Sequence, residues 1–262
     1  MTTYLDRILA AHRAAAADDT RSLDALVEQA RAVPEPTRGF AAALRGATRP
    51  AVIAEVKRRS PSKGDLAADL DPAALAVAYA RGGAACLSVL TDREFFGGSP
   101  DDLQAARRAS PTLPTLRKDF TVTATDVADA RLMGADAVLL IVAALDDAEL
   151  ADFHALAGEL RLDALVEIHD EGELERALAA GATLVGVNQR DLVTFQVDHE
   201  RAVRVGKAIP DDVLKVAESG IRGPDDAHAL AEAGFDAILV GESLVTAPDP
   251  AVALAALRNV VA

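Results

Sequence analysis

From residue 50 onward the sequence keeps one rhythm. Short apolar runs lie at 52–57, 86–91, 114–118, 137–143, 163–168, 184–188, 213–217 and 237–241, with Ala/Leu-rich amphipathic segments between them. Strands alternating with helices predict a parallel sheet, because a parallel neighbour is reached only through a crossover. Eight such units predict a closed (β/α)8 barrel. An open doubly wound sheet usually has fewer units, and no Gly-x-Gly-x-x-Gly fingerprint is present. Gly83, Gly134, Gly181 and Gly234 each end a helical segment just before a run, at spacings of 51, 47 and 53 residues. Glycine suits a left-handed helix C-cap, and the spacing equals two units each time. A half-barrel repeat and simple reuse of Gly-Ala before strands both fit this pattern.

The segment before the first run predicts helix over 3–32. Tyr4, Leu5, Ile8 and Leu9 form one apolar stripe, and Leu23, Leu26 and Val27 another. The prolines of 32–37 then break the chain, and Phe40 to Leu44 is a short helix-like piece. The expected organisation is a helical extension, 1–46, packed on a barrel, 47–262. Deleting residues 1–45 is expected to harm turnover or substrate affinity more than barrel folding.

Half of the 262 residues are hydrophobic, enough for a large core. A net charge of −14 excludes nucleic acid as the expected partner. It says little about a small anion, since screening acts over roughly 8 Å and local cations then decide. The single cysteine, Cys86, has no internal partner for a disulfide, which fits a reducing cytoplasm. No secretory leader and no long apolar span is evident, so the expectation is a soluble cytoplasmic chain without a membrane partner.

In a (β/α)8 barrel the active site lies at the C-terminal strand ends. The first run ends in Glu55 and Lys57, two apart and therefore on one face of a strand. Only five lysines occur, at 57, 63, 118, 207 and 215, and Lys118 ends the third run. Lysine supplies a compact ammonium with a tunable pKa where arginine cannot. Glu167 ends the fifth run, so two lysines and two glutamates are expected to share one cavity. Burying four charges costs several kcal/mol per ion, which favours acid–base work over a structural ion pair. The sixth run ends in Asn188, Gln189, Arg190 and Asp191. Asn188 and Arg190 offer a hydrogen-bonding amide and a clamp for a carboxylate or phosphate, or simply a solvated strand end.

Three loops suit an anion: Ser60 to Gly64, Ser219-Gly220, and Gly241-Glu242-Ser243. Backbone N–H groups after strands seven and eight of such barrels often hold phosphate. Phe95, Phe96 and Phe120 fall near the mouth, where they line an aromatic site or cover the barrel top. His12, His154, His199 and His228 are expected at the surface, and His169 faces the same side as Glu167 with no assigned role. The opposite strand ends read as mostly apolar, and no His/Asp/Glu spacing suggests a metal site.

Taken in order, these segments carry a resemblance. Ile53 to Gly64, Leu90 to Asp92, Phe96 to Ser99, Leu116 to Phe120, Leu165 to His169, Gly186 to Leu192, Ala217 to Ile221 and Val240 to Leu244 resemble the indole-3-glycerol phosphate synthase family of tryptophan biosynthesis. They span all eight units. The helices before the first run resemble that family's extension.

The resemblance implies a (β/α)8 enzyme that closes an indole ring. Its substrate is 1-(2-carboxyphenylamino)-1-deoxyribulose 5-phosphate; its products are indole-3-glycerol phosphate, CO2 and water. It implies no cofactor and no metal. Lys118 matches the general acid of ring closure, and Glu55, Lys57 and Glu167 match the other acid–base groups. Asn188 and Ser219 match substrate-orienting residues. Ser60, Gly220, Gly241, Glu242 and Ser243 match phosphate-binding segments, with Phe96 and Arg190 also contacting substrate. The expected partner is this phosphorylated small molecule, and the expected state a separate, monomeric chain in weak association with other pathway enzymes. Two alternatives stay open: a class I aldolase with a Schiff base at Lys57 or Lys118, and an inactive barrel serving as a partner subunit.

Overall fold

A computed structural model describes residues 3–60, 63–190 and 196–258. Pro61 and Ser62 of the first anion-friendly loop, and Asp191 and Leu192 of the sixth matching segment, lie outside the described residues.

Each apolar run is a strand to within two residues at either end. The strands are β1 (Ala51–Val56), β2 (Cys86–Leu90), β3 (Thr115–Lys118), β4 (Ala137–Ile141), β5 (Asp163–Ile168), β6 (Leu184–Asn188), β7 (Leu214–Glu218) and β8 (Ala237–Val240). They pair in parallel in chain order, and β8 pairs with β1, so the sheet closes on itself. The expected (β/α)8 barrel is therefore the observed fold. Closure buries both faces, which is why the runs are apolar throughout rather than alternating. A short hairpin, Arg59–Ser60 with Gly64–Asp65, stands on the loop after β1. The helices are α1 (Tyr4–Ala17), α2 (Leu23–Arg31), α3 (Phe40–Gly46), α4 (Pro72–Gly82), α5 (Pro100–Ala109), α6 (Ala124–Leu132), α7 (Asp147–Glu159), α8 (Glu171–Ala179), α9 (His199–Ala208), α10 (Pro224–Glu232), α11 (Glu242–Val245) and α12 (Pro250–Arg258). No helix among the described residues is long and apolar enough to cross a membrane.

Two details differ from the sequence expectation. The helix expected over 3–32 is two helices. Asp18 ends α1, and the Ser22 hydroxyl accepts the Ala25 N–H to start α2. Aspartate and serine bond nearby backbone more readily than they extend a helix, so this polar stretch breaks it.

The lower strand ends are not apolar. Asp136, just before β4, donates its N–H to Thr115 O at 2.8 Å, and its carboxylate accepts the Thr115 N–H at 2.8 Å. Its carbonyl accepts the Asp163 N–H at 3.1 Å. One hundred residues on (236 − 136), Asp236 repeats the pattern. It exchanges the same two bonds with Lys215, both at 2.9 Å, and its carbonyl accepts the Ala51 N–H at 2.9 Å. Arg107 and Arg49 pair with the two carboxylates. Buried strand-start amides need acceptors, and these aspartates supply them. The bottom is closed by α3. Asp163 accepts the Ala41 N–H at 2.9 Å, Asp136 accepts the Arg38 N–H at 2.8 Å, and Phe40 is fully buried.

Candidate active site

Strand ends and following loops meet in one cavity of about 600 Å³ at the C-terminal end of the barrel. The residues matched to catalysis, substrate or phosphate in the sequence all line it: Glu55, Lys57, Ser60, Phe96, Lys118, Glu167, Asn188, Arg190, Ser219, Gly220, Gly241, Glu242 and Ser243. Alternation along β3 explains the sorting of its polar end. Lys118 turns into the cavity, while Arg117 turns away from it and bonds the Asp126 carbonyl at 2.6 Å and the Asp119 carboxylate at 3.2 Å.

Lys118 is the centre of the charge cluster. Its Nζ lies 3.1 Å from Glu167 Oε2 and 3.4 Å from Glu218 Oε2. Lys57 pairs with Glu55 on the neighbouring wall. Asn188 donates to Glu167 Oε1 at 3.0 Å and accepts the Arg190 N–H at 3.0 Å, so it fixes both. Burial alone would lower the Lys118 ammonium, but Glu167, Glu218 and Glu55 outweigh it and hold the group charged. Burial would raise the Glu167 carboxyl, yet Lys118, His169 and Asn188 keep it below its ordinary value. Glu218 goes the other way. Burial pushes it up to about 8, and Glu167 and Glu55 add to that against the pull of Lys118. Like charges around one ammonium cannot all stay ionised, so the set divides into a carboxylate and a carboxylic acid.

Glu218 follows the seventh run directly and is absent from the sequence expectation. Its signal lay across the sheet. β7 pairs with β6 so that Glu218 stands beside Asn188. A Cβ at Gly186 would come 2.0 Å from Glu218 Oε1, so only glycine leaves room for the carboxyl group. Gly241 acts alike for the first pair, since a Cβ there would meet Glu55 Oε2 at 2.2 Å.

The opposite wall is built from loops. Ser219 and Gly220 both have left-handed backbone, with φ of 68° and 74°. A non-glycine residue in that region is uncommon and is held there by its surroundings. Ser243 donates its hydroxyl to Ile221 O at 3.0 Å, tying the two loops together. Ser60 accepts the Lys63 N–H at 3.2 Å, and Lys63 Nζ lies 3.9 Å from Glu242. Lys57, Lys63, Lys118, Arg190 and Arg222 line the cavity against Glu55, Asp119, Glu167, Glu218 and Glu242, so in a chain of net charge −14 the cations there match the carboxyl groups in number.

The phenylalanines divide. Phe96 and Phe120 line the cavity with ring centres 6.1 Å apart, while Phe95 is buried edge-on against Tyr4 at 6.0 Å. Tyr4, Leu5 and Ile8 of α1 complete the apolar wall.

The histidine expectation is corrected at two positions. His12 binds Asp92 at 2.9 Å and holds α1 to the mouth, and the same carboxylate accepts the Phe95 and Phe96 N–H groups. His199 lines the cavity and bonds Gln189 at 2.6 Å. Asp92 follows β2, 80 residues from His12, while Gln189 follows β6, ten residues before His199. His12, Asp92 and Asp119 bring ligand atoms within 4.8 Å of one another. Each is engaged by protein partners, with Asp119 accepting from Thr91 and Phe120, and the trio serves as a strap for α1.

Comparison with known proteins agrees with the geometry. The family model for indole-3-glycerol phosphate synthase matches residues 5–257. An indole-3-glycerol phosphate synthase of Polaromonas sp. is 51% identical over 261 residues, covering 98% of each chain. One from Streptomyces griseus is 52% identical over 257 residues, covering 97% of this chain and 94% of its own. Among solved structures, 3-hexulose-6-phosphate synthase from Salmonella typhimurium superposes with a TM-score of 0.63 at 15% identity, over 80% of this chain and 97% of the other, a likeness of fold alone. With matches that run from the first helix to the last, the chain belongs to the indole-3-glycerol phosphate synthase family.

Proposed function

We propose that this chain is a carbon–carbon lyase that converts 1-(2-carboxyphenylamino)-1-deoxyribulose 5-phosphate to indole-3-glycerol phosphate, CO2 and water, a step of tryptophan biosynthesis. The observation that carries the reading is Lys118, held as an ammonium between an ionised Glu167 and a raised Glu218 in a cavity that Phe96 and Phe120 also line. The reaction needs protons delivered to oxygen twice and removed from carbon once. In the first step the anthranilate ring carbon attacks the ribulose carbonyl. Lys118 gives its proton to that oxygen as the carbon–carbon bond forms. The carboxylate then leaves as CO2, and its bonding electrons restore the ring. Lys57, the second ammonium in the cavity, protonates the departing hydroxyl. Glu167, kept as a carboxylate, takes the last proton as the indole forms.

The binding residues follow the same logic. Phe96 and Phe120 with α1 suit the aromatic ring, and Asn188, Arg190 and Ser219 suit the substrate's polar groups. The N–H groups of Gly220, Gly241 and Glu242, with Ser60 and Ser243, suit the phosphate. On this reading α1 belongs to the site, and the helical extension 1–46 is more than a cover for the barrel. The aldolase alternative needs a neutral amine as nucleophile, whereas three carboxyl groups hold Lys118 protonated.

The test is fluorescence detection of indole-3-glycerol phosphate from synthetic substrate, without added metal. Product at a rate abolished by Lys118→Ala supports the reading. No product, or a borohydride-trapped adduct at either lysine, refutes it.

A further inference from the structure

His169 lies two residues beyond Glu167, where β5 ends, and its side chain is only 11% exposed. Its Nδ1 is 3.0 Å from Glu173 Oε2, and its backbone N–H donates to the same oxygen at 2.7 Å. A carboxylate oxygen only accepts, so Nδ1 carries a proton. The other nitrogen, Nε2, is buried without a hydrogen-bond partner among the described residues and lies 3.9 Å from Glu167 Oε1. In a neutral ring Nε2 would turn a lone pair toward a buried carboxylate. In the imidazolium, Nε2 carries a proton toward it instead. Among the described residues, the charged groups that act on the ring are Glu167 from β5, Glu173 from α8 and Arg201 from α9. Lys118 of β3 stands on the far side of Glu167. Burial would lower the imidazole, but the two carboxylates outweigh it and Arg201 together, so the group is raised above its ordinary value.

We propose that His169 is a positioning residue. Held as an imidazolium by Glu173, it keeps Glu167 ionised while Lys118 gives its proton to the substrate. This rests on the role of Lys118 proposed above. The need comes from proton balance. As the Lys118 N–H bond breaks and the substrate O–H bond forms, Nζ becomes a neutral amine. Glu167, 2% exposed, then loses the cation that stood 3.1 Å away. A buried carboxylate without a counter-charge takes up a proton, and a protonated Glu167 cannot accept one from carbon. His169 is placed to carry the counter-charge through that interval, on the oxygen that Lys118 does not touch.

Two measurements on the whole chain test this together. The first is 15N-imidazole NMR titration of the ligand-free protein, with five histidines to assign. The second is the pH dependence of kcat and KM. His169 is expected to titrate above its ordinary 6.5 from an Nδ1–H form, and kcat is expected to fall with the same midpoint as pH rises. Glu173→Ala removes the acceptor at Nδ1 and is expected to lower both midpoints in step. His169→Gln is expected to lose that limb and to run about tenfold below the wild-type optimum, with KM changed less than about twofold. A neutral Nε2–H tautomer at pH 7 overturns the proposal. So does a kcat profile unchanged in His169→Gln, or a kcat midpoint that stays fixed while the NMR midpoint moves in Glu173→Ala. If the wild-type chain makes no product, the reaction assignment itself fails. Normal wild-type turnover with an unmoved limb overturns only the role of His169.

Discussion

Replacing Glu218 by glutamine tests the division of the carboxyl groups directly. Glu218 is 2% exposed, and its Oε1 has no hydrogen-bond partner among the described residues. Its carboxyl is raised from 4.5 to about 8, so at pH 7 it is mostly a neutral acid, which glutamine imitates in shape and charge. A raised folded-state value means that the folded chain binds this proton more tightly than the unfolded chain. The stability from this proton is complete below pH 4.5 and is lost as pH climbs toward 8. At about 1.4 kcal/mol per unit, the wild-type chain loses about 3 kcal/mol between pH 6 and pH 9 through this one group. Glu218→Gln loses none of it. The expectation is therefore a variant about as stable as wild type near pH 6 and more stable by about 3 kcal/mol at pH 9. Urea melts at pH 6, 7, 8 and 9, fitted with a common slope, read this difference. The reasoning is refuted if the variant is several kcal/mol weaker at pH 6. It is equally refuted if the gap between the two proteins stays constant across the series, since Glu218 would then not titrate between pH 6 and 9.

Three further outcomes are expected. Lys118→Ala and Glu167→Gln should keep the circular dichroism spectrum and lower kcat by two or more orders of magnitude, of the order of about 10² to 10³ for a lost charge-stabilising group; near-wild-type turnover in both would sink the site assignment. Gly186→Ala places a methyl group 2.0 Å from Glu218 Oε1, so the urea midpoint should drop by the equivalent of about 1–3 kcal/mol together with kcat, and an unaltered midpoint would show that the wall yields freely. Deleting residues 1–18 removes Tyr4, Leu5, Ile8 and His12 and should raise KM with the barrel intact. Deleting 1–45 also strips the buried Phe40 and Leu44 from the barrel floor, at a cost of about 3–5 kcal/mol for the phenylalanine alone. Equal thermal melts for the two truncations would contradict that plug.

That last pair also marks where reading the sequence succeeded and where it fell short. The expectation that deleting 1–45 harms turnover or affinity more than barrel folding follows from the polar, helical look of the segment. What it overlooks is that Phe40 meets strand starts 46 and more residues away, as in the Cys86 thiol donating to Phe40 O at 3.6 Å. The barrel itself was legible because closure buries each strand on both faces, and an unbroken apolar run records that locally. Glu55, Lys57, Lys118, Glu167 and Asn188 were legible because a polar residue ending such a run has one place to go. Glu218 obeyed the same rule, but beside Ser219 and Gly220 it read as part of a loop. Only the pairing of β6 with β7, which no local pattern encodes, reveals the gap at Gly186 that it fills. His12 hides because its partner, Asp92, stands 80 residues away in the chain. The aspartates at the barrel bottom had a signal in plain view, Gly-x-Asp-Ala at 134–137 and again at 234–237.

Those two aspartates bear on how the circle is joined. Asp136 stitches β3, β4 and β5, three strands that follow one another in the chain. Asp236 makes the matching set of bonds across β7, β8 and β1, where the last strand meets the first. At this rim the joint between the two ends of the barrel sequence is chemically the same as one in its middle. A ring with a distinctive clasp opens at the clasp. This one is sewn with the same stitch on opposite sides, so the bonding at its lower edge does not betray where the thread begins.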